Sequence, residues 1–179
     1  NIVFETQDQL EEFALNKYYK IIGNLTVGGV DVTNSESLNT LKFIDGQIHI
    51  YGTSLKNLNG FSNMNFSNEG YLSIVNNPYL ENIDGLQNIS ASLLGLDCRL
   101  NPMIKNIDGF RNISHVTNMI DISENENLNN LNGLANINQY VKYLTIHENI
   151  LLTNTAGLAN IPKISDFSFV RNHSVISLE

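Results

Sequence analysis

The chain has 179 residues, 42% of them hydrophobic, enough for one domain with a continuous core. Its formal net charge of −8 argues against a phosphate-backbone binder, which needs clustered Lys and Arg, and no apolar run is long enough to span a bilayer. Only 16% of residues are charged, so Asn, Ser, Thr and Gly carry the surface.

In chain order, residues 1–20 lie outside any repeat and read as an N-terminal cap. Thr6-Gln7-Asp8-Gln9 is a capping box, with Thr6 as N-cap and Gln9 at N3. Leu10, Phe13 and Ala14 share one helical face, which predicts a short amphipathic helix near 6–15. Such a helix would cover the open end of a stack that otherwise exposes apolar edges.

Residues 21–179 repeat at steps of 23 or 24 residues. The first apolar position of each Leu-x-Ile-type triplet falls at Leu25, Ile48, Leu72, Leu96, Ile120, Leu144 and Phe167. A second column follows at Val27, Ile50, Ile74, Cys98, Ile122, Ile146 and Phe169, and a third at Val32, Leu55, Leu80, Ile104, Leu128, Leu152 and Val175. Leu58, Ile83, Ile107, Leu131 and Leu178 form another. A fixed period of this length marks units that bury their apolar face only against their neighbours. Each triplet points two apolar side chains inward and one residue outward, and stacked triplets make a parallel sheet with strands about 4.8 Å apart. The predicted fold is all-β: a right-handed parallel β-solenoid of about seven coils with a short N-terminal capping helix. The pattern is still running at Leu178, so the single domain 1–179 is expected to belong to a longer protein.

Two polar columns punctuate the repeat. Asn77, Asn101, Asn125, Asn149 and Asn172 stand five residues after the triplet start, where an inward amide can satisfy the backbone of a bend and bond to the next amide. Asn59-Gly60, Asp84-Gly85, Asp108-Gly109 and Asn132-Gly133, with Ala156-Gly157 as a weaker member, predict tight bends, because Gly accepts positive φ and Asn or Asp tolerates it. Cys98 sits in an inward column and reads as a small buried hydrophobe.

The series Ile-x-Gly-x-Leu-x-Ile, then Asn, then Leu-x-x-Leu-x-Gly-Leu-x-x-Ile resembles the receptor L-domain family, over residues 18–179. Leu96-x-Cys98-x-x-Asn101 also resembles a leucine-rich repeat. The resemblance implies an extracellular or cell-surface binding or adhesion module, its leader already removed, with a protein or glycan partner. It supplies no catalytic residue, cofactor or metal site to carry over. The receptor members carry disulfides, which a chain with one cysteine cannot form internally, so the likeness is to the bacterial secreted type.

The candidate recognition surface is the outward face of the sheet, with columns Thr26, His49, Ser73, Asp97, Asp121, Thr145, Ser168 and Gly28, Tyr51, Val75, Arg99, Ser123, His147, Val170. His49 and Tyr51 offer an amphipathic anchor of the kind interfaces favour. Asp97 and Asp121 fall one coil apart in one column, about 5 Å, which requires Arg99, a cation or a shared proton to offset their repulsion. Retaining glycosidases space two carboxylates similarly, which gives a polysaccharide-active enzyme as an alternative. That column holds no third Asp and no flanking aromatic platform. A spacer with no ligand of its own is a further alternative. His49, His115, His147 and His173 lack metal-ligand spacing, and His49 and His147 stand four coils apart. Sequons at Asn24, Asn65, Asn88, Asn112 and Asn172 are read as products of an asparagine-rich composition.

Overall fold

In the computed structural model, which describes residues 1–66 and 69–175, the chain is mostly parallel β-sheet with one α-helix. Strand β1 (Ile2–Phe4) precedes α1 (Gln7–Ala14). Then come β2 (Lys20–Ile22), β3 (Leu25–Gly28), β4 (Phe43–Asp45), β5 (Ile48–Tyr51) and β6 (Asn65–Phe66). The longer strands β7 (Gly70–Val75), β8 (Leu93–Arg99), β9 (Val116–Ser123), β10 (Val141–His147) and β11 (Ile164–Val170) follow. One eight-stranded sheet has the order β1-β3-β5-β7-β8-β9-β10-β11, and a three-stranded sheet has the order β2-β4-β6. In early repeats a bend at Gly23, with φ 105°, separates β2 from β3. From β7 onward the two segments run together as one strand.

The predicted register holds. Leu25 pairs with Ile48, Ile48 with Leu72, Leu72 with Leu96, Leu96 with Ile120, Ile120 with Leu144 and Leu144 with Phe167. All but Phe167 are essentially buried, each contributing about 1.5–3 kcal/mol of burial. Phe167 is 44% exposed, because β11 is the last strand of the sheet among the described residues. Val32, Leu55, Leu80, Ile104, Leu128 and Leu152 form a second continuous buried column. Leu178 lies outside the described residues.

The N-terminal reading needs one correction. Residues 1–20 are not outside the repeat: Ile2 pairs with Leu25 and Phe4 with Val27, so Ile2-Val3-Phe4 is an eighth sheet strand placed 23 residues before Leu25. The helix that follows has the predicted capping box, with Thr6 bonded to the Gln9 N–H and the Gln9 side chain returned to the Thr6 N–H. Its Leu10 is fully buried, and the helix packs on the first of the stacked 3-10 turns.

The asparagine column forms an unbroken ladder. The Asn77 N–H donates to Asn101 Oδ1, Asn101 to Asn125, Asn125 to Asn149 and Asn149 to Asn172, at 3.0–3.1 Å. Each amide Nδ2 donates back to a strand carbonyl: Asn77 to Ile50, Asn101 to Ile74, Asn125 to Cys98, Asn149 to Ile122 and Asn172 to Ile146. Thr53 stands where the ladder lacks its asparagine and donates both N–H and hydroxyl to Asn77 Oδ1. Four of the asparagines are fully buried, so the turn's polar groups are satisfied without water.

The glycine punctuation works differently from its prediction. Gly60, Gly85, Gly109, Gly133 and Gly157 sit in 3-10 turns, and none has positive φ. They are small because neighbours leave no room: a Cβ on Gly60 would meet the Ser35 carbonyl oxygen at 1.7 Å, and one on Gly109 the Ile83 oxygen at 2.0 Å.

Left-handed backbone appears instead one residue before the ladder, at Gly29, Gly52, Asn76, Leu100, Glu124, Glu148 and Arg171. Only the first two are glycine. Leu100, at φ 58° and 39% exposed, bears a left-handed penalty of about 1–2 kcal/mol. Leu100→Gly is expected to raise unfolding free energy by about 0.5–1 kcal/mol, net of glycine's larger unfolded-state entropy. Urea unfolding checks this; a lowered midpoint would mean Leu100 packs well enough to outweigh its strain.

Candidate functional site

Pairing places the predicted residues on one surface. Asp97 and Asp121 are direct register partners on β8 and β9, as their spacing required. Arg99 offsets the repulsion. Its Nε donates to Asp97 Oδ1 at 2.6 Å and its Nη2 to Asp97 Oδ2 at 2.9 Å, a bidentate charge-assisted pair. The same Nε lies 3.8 Å from Asp121 Oδ2, too long for a hydrogen bond. Ser73 lies 3.4 Å from Asp97 Oδ2, and the Ser123 hydroxyl donates to Asp121 Oδ1.

This patch is not the simple solvated face that strict alternation predicts. Asp97 is 4% exposed, and Ser73 and Ser123 are also buried. Burial lifts the Asp121 carboxyl above the usual carboxylate range; the Asp97 charge adds to this, while Ser123, Arg99 and His147 oppose it. Hydrogen bonding to Asp97 raises Arg99 further, against its partial desolvation. Cys98, beneath the same patch, is fully buried, and burial chiefly pushes its thiol up to about 12. It is no nucleophile at neutral pH.

An aromatic neighbour, excluded by the sequence reading, is present. Tyr71 pairs with Gly95, and a Cβ built on Gly95 would meet the Tyr71 ring at Cε2 2.3 Å and Cδ2 2.6 Å. The ring therefore lies down across the glycine, next to the acid–guanidinium cluster. Burial raises the Tyr71 hydroxyl above its ordinary value, and the Asp97 charge adds to it. Tyr71 belongs to a third outward column, with Gly95, Met119 and Tyr143, one residue before the triplet. The register shifts between Gly70 and Tyr71 and between Leu93 and Gly95 fall just before this column, which keeps the triplet's register. Extending the alternation backwards from Leu72 would have found it.

Tyr51 repeats the device: it pairs with Gly28, its ring lies over that glycine, and His49 stacks on it with centroids 4.9 Å apart. This cross-strand cover of a sheet glycine gives Tyr51 a structural duty as well. Burial lowers the His49 imidazole below its ordinary value, against a smaller opposite pull from Asp97. On β10, His147 Nε2 lies 2.7 Å from the Ser168 hydroxyl. β5 and β10 are four places apart in the sheet, so His49 and His147 do not share a site.

Open clefts lie elsewhere. A cleft of about 690 Å³ at the cap is lined by Phe4, Phe13, Tyr18, Lys20 and Ile21 among others, and one of about 440 Å³ follows the turn edge past Leu100, Glu124 and Glu148. Neither includes His49, Tyr51, Asp97, Arg99, Asp121 or His147. Among the described residues no group of three or more His, Cys, Asp or Glu side chains could hold a metal ion, and no helix is long and apolar enough to cross a membrane. The sequon amides of Asn88 and Asn112 donate to the Ser62 and Gln87 carbonyls, and Asn172 is buried in the ladder. No family model matches the chain, and neither a curated protein nor a solved structure matches it.

Proposed function

We propose that this chain is a right-handed parallel β-solenoid of the receptor L-domain type, bacterial in character, acting as a secreted or cell-surface recognition module. Its outward sheet face takes a protein or glycan partner, and it is not an enzyme. In-register parallel pairing over successive 23–24-residue steps and the stacked asparagine ladder support the solenoid reading.

One observation carries the functional reading. The Asp97–Arg99–Asp121 cluster is built into the outer face, where the hydrophobic core has no need of it. Half-buried charges of this kind add little net stability, because desolvation offsets their attraction. A fold that keeps them there, beside flat-lying aromatic rings, has the makings of an interface hot spot. The hydrolase alternative is weaker. Both oxygens of Asp97 are engaged by Arg99, leaving no free carboxylate pair for acid and nucleophile.

Variants His49→Ala and Arg99→Ala, assayed by biolayer interferometry against panels of cell-surface proteins and polysaccharides, test the reading. Binding by the parent chain and a loss of about tenfold in at least one variant are expected. Tyr51 is a poorer choice, since truncating it also uncovers Gly28. If the parent chain binds nothing in either panel, the spacer alternative replaces this one. Polysaccharide hydrolysis that disappears in Asp121→Asn would establish the enzyme instead.

A further inference from the structure

The outer sheet face at β7–β9 brings together three elements that separate reasoning about each residue misses. The first is a flat aromatic surface. Tyr71 lies across Gly95 because glycine leaves the space; any Cβ there falls within 2.3 Å of the ring. The second is a hydrogen-bond acceptor with spare capacity. Asp121 Oδ1 takes the Ser123 hydroxyl, whereas its Oδ2 has Arg99 Nε only at 3.8 Å. The third is a donor with spare capacity. Arg99 directs Nε and Nη2 at Asp97, is 41% exposed at its side chain, and a guanidinium has five N–H donors. Acceptor and donor thus stand side by side next to an aromatic ring.

That combination suits one ligand chemistry above others. A sugar ring has an apolar C–H face that packs on the negative face of an aromatic ring, and adjacent hydroxyls that each donate and accept. A carboxylate and a guanidinium in fixed relation read two such hydroxyls at once. The surroundings favour a flat ligand. Ser73 and Thr145, the register partners of Asp97 and Asp121 on the flanking strands, are short hydroxyl residues, so nothing tall flanks the two carboxylates along their column.

We propose that the sheet face over β7–β9 binds a neutral carbohydrate, with Tyr71 stacked on the sugar ring, Asp121 and Arg99 holding adjacent hydroxyls, and Gly95 acting as a positioning residue that lets the ring lie flat. This deepens the recognition-module reading and rests on it.

Gly95→Ala is the decisive variant. The added methyl meets the outer atoms of a rotatable side chain rather than backbone, so the chain accommodates it by lifting the ring. Tyr71 keeps its chemistry and loses its posture. Affinity electrophoresis through gels containing laminarin, xylan, galactomannan or polygalacturonate supplies the probes, with circular dichroism confirming that each variant is folded. The parent chain should be retarded by at least one neutral polysaccharide. Tyr71→Ala and Gly95→Ala should each weaken retardation about tenfold, the worth of a stacked aromatic contact, while Tyr71→Phe stays close to the parent. Asp121→Asn should weaken it as well, since the amide Nδ2 or Oδ1 cannot replace both carboxylate acceptors. Retardation unchanged in Gly95→Ala and Tyr71→Ala would overturn the proposal, as would no retardation by laminarin, xylan or galactomannan, or retardation by the anionic polygalacturonate alone. Binding to a protein that is lost in Arg99→Ala, without retardation by any polysaccharide, overturns the carbohydrate assignment and leaves the module reading standing.

Discussion

Replacing Gly109 by alanine is expected to destabilise the fold by about 3–5 kcal/mol, toward the severe end for a single methyl group. Elsewhere the same change at ordinary φ stabilises by about 0.4–1 kcal/mol, by restricting the unfolded chain. The sign reverses here because the new Cβ would lie 2.0 Å from the Ile83 carbonyl oxygen and 2.7 Å from its carbon. These are backbone atoms of the preceding 3-10 turn, and that oxygen already accepts the Leu86 N–H at 3.0 Å. Relief requires the two turns to separate, which opens the stacked core between Ile83 and Ile107, both fully buried. Gly52 is the internal control. Its φ is +60° but nothing lies within 4 Å of an added Cβ, so Gly52→Ala should cost only about 1–2 kcal/mol of left-handed strain. Urea unfolding of both variants checks the order; a larger loss at Gly52 would refute the close-approach account.

Asn101→Ala is expected to cost a similar 3–5 kcal/mol. The side chain is fully buried and makes contacts in both directions along the ladder. Its Oδ1 accepts the Asn77 N–H and Nδ2, both at 3.1 Å, and its Nδ2 donates at 2.9 Å to the Ile74 and Arg99 carbonyls. Truncation removes partners from at least two buried backbone groups, each worth about 1–3 kcal/mol when left unsatisfied. Asn112 makes the comparison sharp. Its Nδ2 also donates to a carbonyl, that of Gln87 at 2.6 Å, but the residue is exposed and water replaces the bond. Asn112→Ala should therefore stay within about 1 kcal/mol. Comparable losses from the two variants would show that burial does not set the ladder's value.

Much of this was readable before any coordinates. Leu72, Leu96 and Ile120 announced their stacking because each occupies the same place in its repeat, and their pairing follows. The capping box at Thr6 and Gln9 is a local device, and local devices survive in any tertiary context. Burial of Cys98 followed from alternation within one strand. The neighbourhood of Asp97 and Asp121 followed from the period alone. The misreadings share a cause. Ile2-Val3-Phe4 was missed because α1 fills the place of the next turn and breaks the visible period. Tyr71 was missed because it stands one residue before the triplet on which the columns were aligned, although it keeps the triplet's register.

Periodic positions of apolar residues and asparagines were determined by the sequence itself, since a strand's two faces and a repeat's length dictate which side chains can meet. Three things were decided only when the chain packed. Asp-Gly and Asn-Gly pairs have the same composition whether glycine serves for its φ or for its missing methyl; the Ile83 oxygen beside Gly109 chose the second. Left-handed backbone fell on Leu100 and Glu124, residues that do not favour it, because the inward asparagine that follows must reach its ladder. The outer face owes the posture of its Tyr71 ring to a cross-strand contact with Gly95, and such a contact depends on pairing between strands that no single strand encodes.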